Sequence, residues 1–193
     1  MNEKNSQVDQ LSDLRIEPVR PDEIDRLLAI ERESFTVPWT RKMFEAEITG
    51  NPFSRLDVAR LPDTHTGESR LIGFVCYWVV FDELHLLDVA VEPAFRRRGV
   101  GRRLVAHALA RGAEQGVKRA MLEVRLSNHA AQRLYEGFGF RTVGTRPKYY
   151  THPVEDARLL ELQPVPSPGG AVPDDSSEKG RVKAGVVLPV HHA

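Results

Sequence analysis

Cysteine is almost missing from this chain: Cys76 is the only one in 193 residues. An internal disulfide is therefore impossible, and the place of Cys76 inside the apolar run LIGFVCYWVV makes it a small core residue rather than a nucleophile. A long apolar stretch is missing too. No window approaches the roughly 18 consecutive apolar residues of a membrane span, and the opening MNEKNSQVDQLSD is polar with acidic residues, unlike a secretory or transit peptide. A cytoplasmic location is expected. Neither sign of charge is in excess, because 27 Lys and Arg balance 27 Asp and Glu. No general attraction to nucleic acid or to a membrane surface follows, and neither is expected as a direct partner. Internal repeats are not evident. The seven histidines are scattered, no HExxH or CxxC is present, and His191 and His192 lie in a stretch without a core pattern, so no metal is assigned. A GxSxG elbow is also missing, which leaves a covalent serine route unsupported.

What is present suits one domain with tails, since 193 residues at 41% hydrophobic content fall within the roughly 100–200 residues of a typical domain. Residues 1–13 are expected to be disordered and residues 14–163 to form the domain. Residues 164–193, which include PVPSPGGAVPDDSSEKG, read as a flexible tail. A short strand over Leu14–Val19 leads into a helix in which Ile24, Leu27, Leu28 and Glu31 follow the helical repeat, broken around Thr36–Pro38. Thr40 N-caps a second short helix through Ile48, ended by Gly50, Asn51 and Pro52. Three strands follow, over Ser54–Arg60, Arg70–Val80 and Glu83–Val91, the first two joined by the turn-rich PDTHTGES. The next helix buries Leu104, Val105, Ala108 and Leu109 and leaves His107 on the surface. A strand over Ala120–Val124, a helix carrying Ala131, Leu134, Tyr135 and Phe138 at i, i+3, i+4 and i+7, and a final hairpin complete an α/β arrangement around a mixed sheet.

Two features of this pattern carry chemistry. Glu123 ends a strand and Tyr135 lies on the following helix, twelve residues on, so a carboxylate and a phenol converge on one cleft as a candidate base and acid. Upstream, RRRGVG (residues 96–101) follows a strand and opens a helix. Gly99 and Gly101 leave the backbone approachable, and exposed amides at a helix start favour phosphate oxygens, so a pyrophosphate suits this loop.

The segments HLLDVAVEPAFRRRGVG, LEVRLSN, LYEGFGF and RPKYY stand in this order. The chain resembles the GNAT acyl-CoA-dependent N-acetyltransferases, and within them the ribosomal-protein-alanine type, to whose N-terminal motif ERESFTVPWT is also similar. The resemblance spans roughly Leu14 to Leu162. It implies a mixed, mainly antiparallel sheet flanked by helices and splayed at the acetyl-CoA site. It further implies that the backbone of Val89, Ala90 and Val91 aligns the pantetheine arm, while Arg97, Arg98, Gly99, Val100, Gly101 and Arg102 hold the pyrophosphate. Asn128 matches the family's cofactor-contacting asparagine and equally suits a helix cap. The activity implied is acetyl transfer to a protein amino terminus, that of small-subunit ribosomal protein 18, with Glu123 as general base, directly or through water, and Tyr135 as general acid.

Each of these residues has an ordinary alternative. Glu123 would ion-pair with Arg125 or another cation, and Tyr135 would be a core aromatic. Trp39, Tyr149 and Tyr150 are candidates for the acceptor groove or plain packing residues. Lysine or small-amine acetylation uses the same cofactor chemistry, and a degenerate acyl-CoA sensor would bind without turnover.

Overall fold

The computed structural model describes residues 11–62 and 69–166. PDTHTGES falls largely outside them, as do the first ten residues and everything after Pro166. Seven strands, β1 (Arg15–Pro18), β2 (Ser54–Pro62), β3 (Ser69–Val80), β4 (Glu83–Val91), β5 (Arg119–Arg125), β6 (Arg141–Thr151) and β7 (Val154–Leu162), form one sheet. Their order is β1-β2-β3-β4-β5-β7-β6, with β4 and β5 the parallel neighbours and the other pairs antiparallel. Four helices flank it: α1 (Ile24–Arg32), α2 (Arg41–Glu45), α3 (Val100–Glu114) and α4 (His129–Glu136). This is the expected mixed, mainly antiparallel sheet between helices.

The run LIGFVCY in β3 is buried at every position because helices cover both sheet faces. On one face Leu104, Val105 and Ala108 of α3 and Tyr135 of α4 pack with Ile72, Val75 and Tyr77. On the other, Leu27 and Ile30 of α1 and Phe44 of α2 pack with Phe74 and Cys76. Cys76 is fully enclosed, as a core cysteine should be. Leu11 also packs against the first core, and Val165 is buried in it with its N–H bonded to the Lys118 carbonyl at 3.0 Å.

Two local features depart from the expected pattern. The second short helix is α-helical only to Glu45; Ala46–Gly50 widens into a π turn, from which Glu47 accepts the Trp78 indole N–H at 2.7 Å. His107, expected on the surface, is only partly exposed. It sits at the edge of the buried stripe of α3, with Nε2 3.1 Å from Asp57, the buried carboxylate that also accepts the Tyr77 hydroxyl at 3.0 Å. A carboxylate drawn into the core recruits whatever polar groups reach it, and His107 is one of two that do.

A bulge in β4 sets up the functional region. Cys76 pairs with Asp88 and Tyr77 with Leu86, so Leu87 is an extra residue. Leu84 and Leu86 before it face the α3 core, whereas Ala90 after it faces the α1 core. The alternation is thus inverted, and Asp88 is turned toward α1.

Candidate active site

Parallel pairing of β4 with β5 covers only Glu83–Leu86 against Arg119–Leu122. Beyond it β5 follows β7 as far as Arg125, while β4 follows β3 as far as Val91. The strands splay just past the bulge, leaving the Val89–Val91 edge that faces β5 without a partner strand. An extended chain of amide groups, such as pantetheine, fits such an edge. Val89 and Val91 are partly exposed there, and Ala90 between them is buried.

At the far end of this gap the chain enters α3 through a strained loop. Arg97 (φ 62°) and Gly99 (φ 88°) both occupy left-handed backbone conformations, and no side chain caps the helix at Gly99. Uncapped first-turn amides are what a pyrophosphate needs. The two glycines do different jobs. A Cβ at Gly99 would point into open space, but the residue's left-handed backbone favours glycine, whereas a Cβ at Gly101 would meet Leu134 and Val91 at ordinary contact distances. Val100 is core, and the Arg102 guanidinium lies over Phe138 and donates to the Gly137 carbonyl at 3.3 Å. Arg98 stays exposed beside the Phe95 ring.

The gap opens into a cleft of about 140 Å³ lined by Trp39, Val89, Glu123, Asn128, Tyr135 and Tyr150, among others. Glu123 and Tyr135 therefore line the same cleft. Burial pushes the Glu123 carboxyl above its usual range, and Arg146, 3.3 Å away, together with His85 pulls it back. The ion pair considered for Glu123 thus exists, but with Arg146; Arg125 pairs with Glu155 instead. Burial likewise raises the Tyr135 phenol, with Asp88 and Tyr150 adding to the rise, so at neutral pH it holds its proton and is a donor. Asn128 serves as the N-cap of α4, its Oδ1 accepting from the Ala131 N–H at 3.1 Å, and it lines the cleft as well.

Of the aromatic candidates, Trp39 is both packed and placed. Its ring lies 5.4 Å from Phe44, and its edge forms part of the cleft wall. A three-residue irregularity in β6 between Arg146 and Tyr150 presents the tyrosine pair, whose rings meet edge-on at 5.1 Å. Tyr150 lines the cleft under the Arg125 guanidinium, 4.0 Å over its ring, while Tyr149 stands behind it beside Arg146.

Sequence reasoning passed over Glu31 and Asp88. Both are buried, line the cleft and contact each other, and the Glu31 Oε1 accepts the Trp39 backbone N–H at 2.8 Å. Burial is the main reason that Glu31 rises to about 7 and Asp88 well above its ordinary range, Asp88 being pushed further by Glu31. A signal for both was available: each is an acid at a position where the helical or strand pattern calls for an apolar residue. Among the described residues no group of three or more metal-ligating side chains occurs, and no helix is long and apolar enough to cross a membrane.

A sheet splayed beside an uncapped, glycine-bearing helix start defines an acyl-CoA-dependent acetyltransferase, and the chain belongs to the acetyltransferase (GNAT) family, which matches residues 24–140. It is similar to the putative ribosomal protein bS18-alanine N-acetyltransferase of Bacillus subtilis, with 37% identity covering 74% of this chain and 90% of the relative. The corresponding Escherichia coli K12 enzyme is 35% identical over 69% of this chain and 86% of its own length. The crystal structure of the ribosomal-protein-S18-alanine N-acetyltransferase from E. coli superposes with a TM-score of 0.68 at 30% identity, covering 79% of this chain and 94% of the other.

Proposed function

We propose that this protein transfers the acetyl group of acetyl-CoA to the amino terminus of a protein in the cytoplasm, the acceptor being the N-terminal alanine of ribosomal protein bS18. The observation that carries this reading is the convergence of Glu123 and Tyr135 on one cleft where β4 and β5 part. The relatives' acceptor supports the choice of substrate.

Acetyl-CoA supplies an activated acyl group, and the chain's own residues do the rest. The backbone of Val89–Val91 holds the arm, and the loop through Arg97–Arg102 holds the phosphates. The thioester carbonyl is thereby held at the mouth of the cleft. Glu123 takes a proton from the acceptor amine, directly or through a water, freeing the lone pair that forms the C–N bond. As the C–S bond breaks, Tyr135 gives its proton to the departing sulfur, and the surplus proton on the new amide nitrogen leaves through the cleft to solvent or back to the phenolate. Trp39, Tyr149 and Tyr150 border the acceptor chain.

Mass spectrometry of peptides incubated with the protein and acetyl-CoA tests the reading. A peptide with the bS18 amino terminus is expected to gain one acetyl group at its α-amine. Acetylation of internal lysines or of small amines, with amino termini ignored, would replace it.

A further inference from the structure

The charges around the cleft do not balance. Glu123 is offset by Arg146, and the cleft's arginine, Arg125, is engaged by Glu155. What remains is the Glu31–Asp88 pair, which forms no ion pair among the described residues. With both groups ionised, Glu31 Oε2 and Asp88 Oδ2 are fully buried and have no donor among the described residues. One shared proton satisfies the contact between them but still leaves a net negative charge beside the cleft. The titratable side chains that act on the pair or face the same cleft are Cys76 from β3, Glu123 from β5, Tyr135 from α4 and Tyr150 from β6. Arg125 lines the cleft as well and is its one cation among the described residues, but its guanidinium is paired with Glu155 at 3.2 Å and lies over the Tyr150 ring, so it does not offset the pair.

A buried, uncompensated carboxylate is costly unless something positive reaches it. The acceptor amine arrives mostly as an ammonium at neutral pH, its pKa lying near 8. We propose that the Glu31–Asp88 pair is the receiving subsite for the protonated amino group of the acceptor, a role separate from proton removal by Glu123. This rests on the amine-acetylating reading above. Electrostatics and position agree: the pair lies on the α1–β4 side of the cleft and Glu123 on the β5 side, so an ammonium entering between them meets its counter-charge before its base. The Trp39 wall is tied to the same site through Glu31 Oε1. Asp88 reaches it only because the β4 bulge turns it toward α1.

The test compares two ligands on the CoA-loaded protein by calorimetry: a peptide beginning with alanine, and the same peptide beginning with isobutyryl, in which a methyl replaces the ammonium. The parent is expected to bind the amino form at least about tenfold more tightly, as pairing a desolvated ion requires. In Asp88→Asn and in Glu31→Gln, which keep shape and hydrogen-bonding capacity, that preference is expected to fall below about threefold while CoA affinity stays unchanged. A preference that survives in both variants, with melting curves and CoA binding intact, overturns the proposal. Equal binding of the two ligands by the parent overturns it too, without recourse to any variant. If the parent acetylates an internal lysine peptide or a diamine instead of the alanine peptide, the functional reading fails. The same comparison with that amine and its methyl-for-ammonium analogue then still decides the role of the pair.

Discussion

Glu123 is held between two opposing influences, burial that raises its pKa and the Arg146 guanidinium that lowers it, and its use as a base depends on that balance. Replacing it with Gln removes basicity and keeps shape. Turnover at neutral pH is expected to drop about 100-fold or more, with partial recovery at higher pH as the amine deprotonates unaided. Tyr135→Phe removes only the hydroxyl and is expected to slow single-turnover transfer with little change in acetyl-CoA affinity. If both folded variants work at the parental rate across pH, these residues are not the base and acid. Glu31 gives a stability prediction of definite sign. Its folded pKa of about 7 lies above the ordinary 4.5, so the folded state holds the proton more tightly. The stabilisation is complete below about pH 4.5 and is lost as pH rises through 7, at up to about 1.4 kcal/mol per pH unit. The melting temperature of the parent is expected to fall between pH 5 and pH 8, and that of Glu31→Gln to fall less. Parallel curves would show that Glu31 titrates normally.

Among the elements, the entry to α3 and the β6–β7 hairpin govern the two substrates separately. Gly99 has φ 88°, so Gly99→Ala places a side chain in the left-handed region at about 1–2 kcal/mol. It is expected to lower both melting temperature and acetyl-CoA affinity. Gly101→Ala is different. Its Cβ would meet Leu134 at 3.7 Å and Val91 at 3.8 Å, ordinary contact distances, and alanine favours a helix over glycine by roughly 1 kcal/mol. Stability is expected to hold or rise, and a marked loss on calorimetric unfolding would show that α3 packs more tightly than these distances allow. The hairpin is hooked to β5 by Arg125, which donates to the His152 carbonyl at 3.1 Å and pairs with Glu155 at 3.2 Å while covering Tyr150. Arg125→Ala is expected to raise the acceptor KM by roughly tenfold through misplacement of Tyr150, leaving acetyl-CoA affinity unchanged. A parallel loss of both would place Arg125 in the cofactor site.

At the scale of the molecule, the sheet joins two cores whose closure reaches past β7. Val165 is buried among the residues of the α3 core, and burying a valine contributes about 1.5–3 kcal/mol. A chain ending after Gln163 is therefore expected to melt several degrees below one ending after Pro166. Equal melting temperatures would mean that the α3 core closes without Val165. The proline-rich character that begins at Pro164 gave no sign of this, because one apolar residue in a polar stretch has no periodicity to reveal it.

Much of the architecture was legible from local pattern. The stripe Leu104, Val105, Ala108 and Leu109, the enclosed β3 run and the strand-then-helix placement of Glu123 and Tyr135 depend on 3.6- and 2-residue periods that residues carry wherever they fold. The glycine-bearing helix start was legible for the same reason. Other features came from contacts between segments far apart in the chain. Arg146, rather than neighbouring Arg125, neutralises Glu123 because β7 lies between β5 and β6 and aligns their ends. His107 is drawn partly inward, toward Asp57 across the core, which needs a partner. Glu31 and Asp88 look like stray acids in apolar runs until one extra residue in β4 turns the second toward the first. The sequence by itself determined the elements, their order and the residue types able to do acyl-transfer chemistry, since these follow from local preference. Only the tertiary structure decided which charges compensate one another, because that depends on distance and burial, neither of which is a property of any single segment.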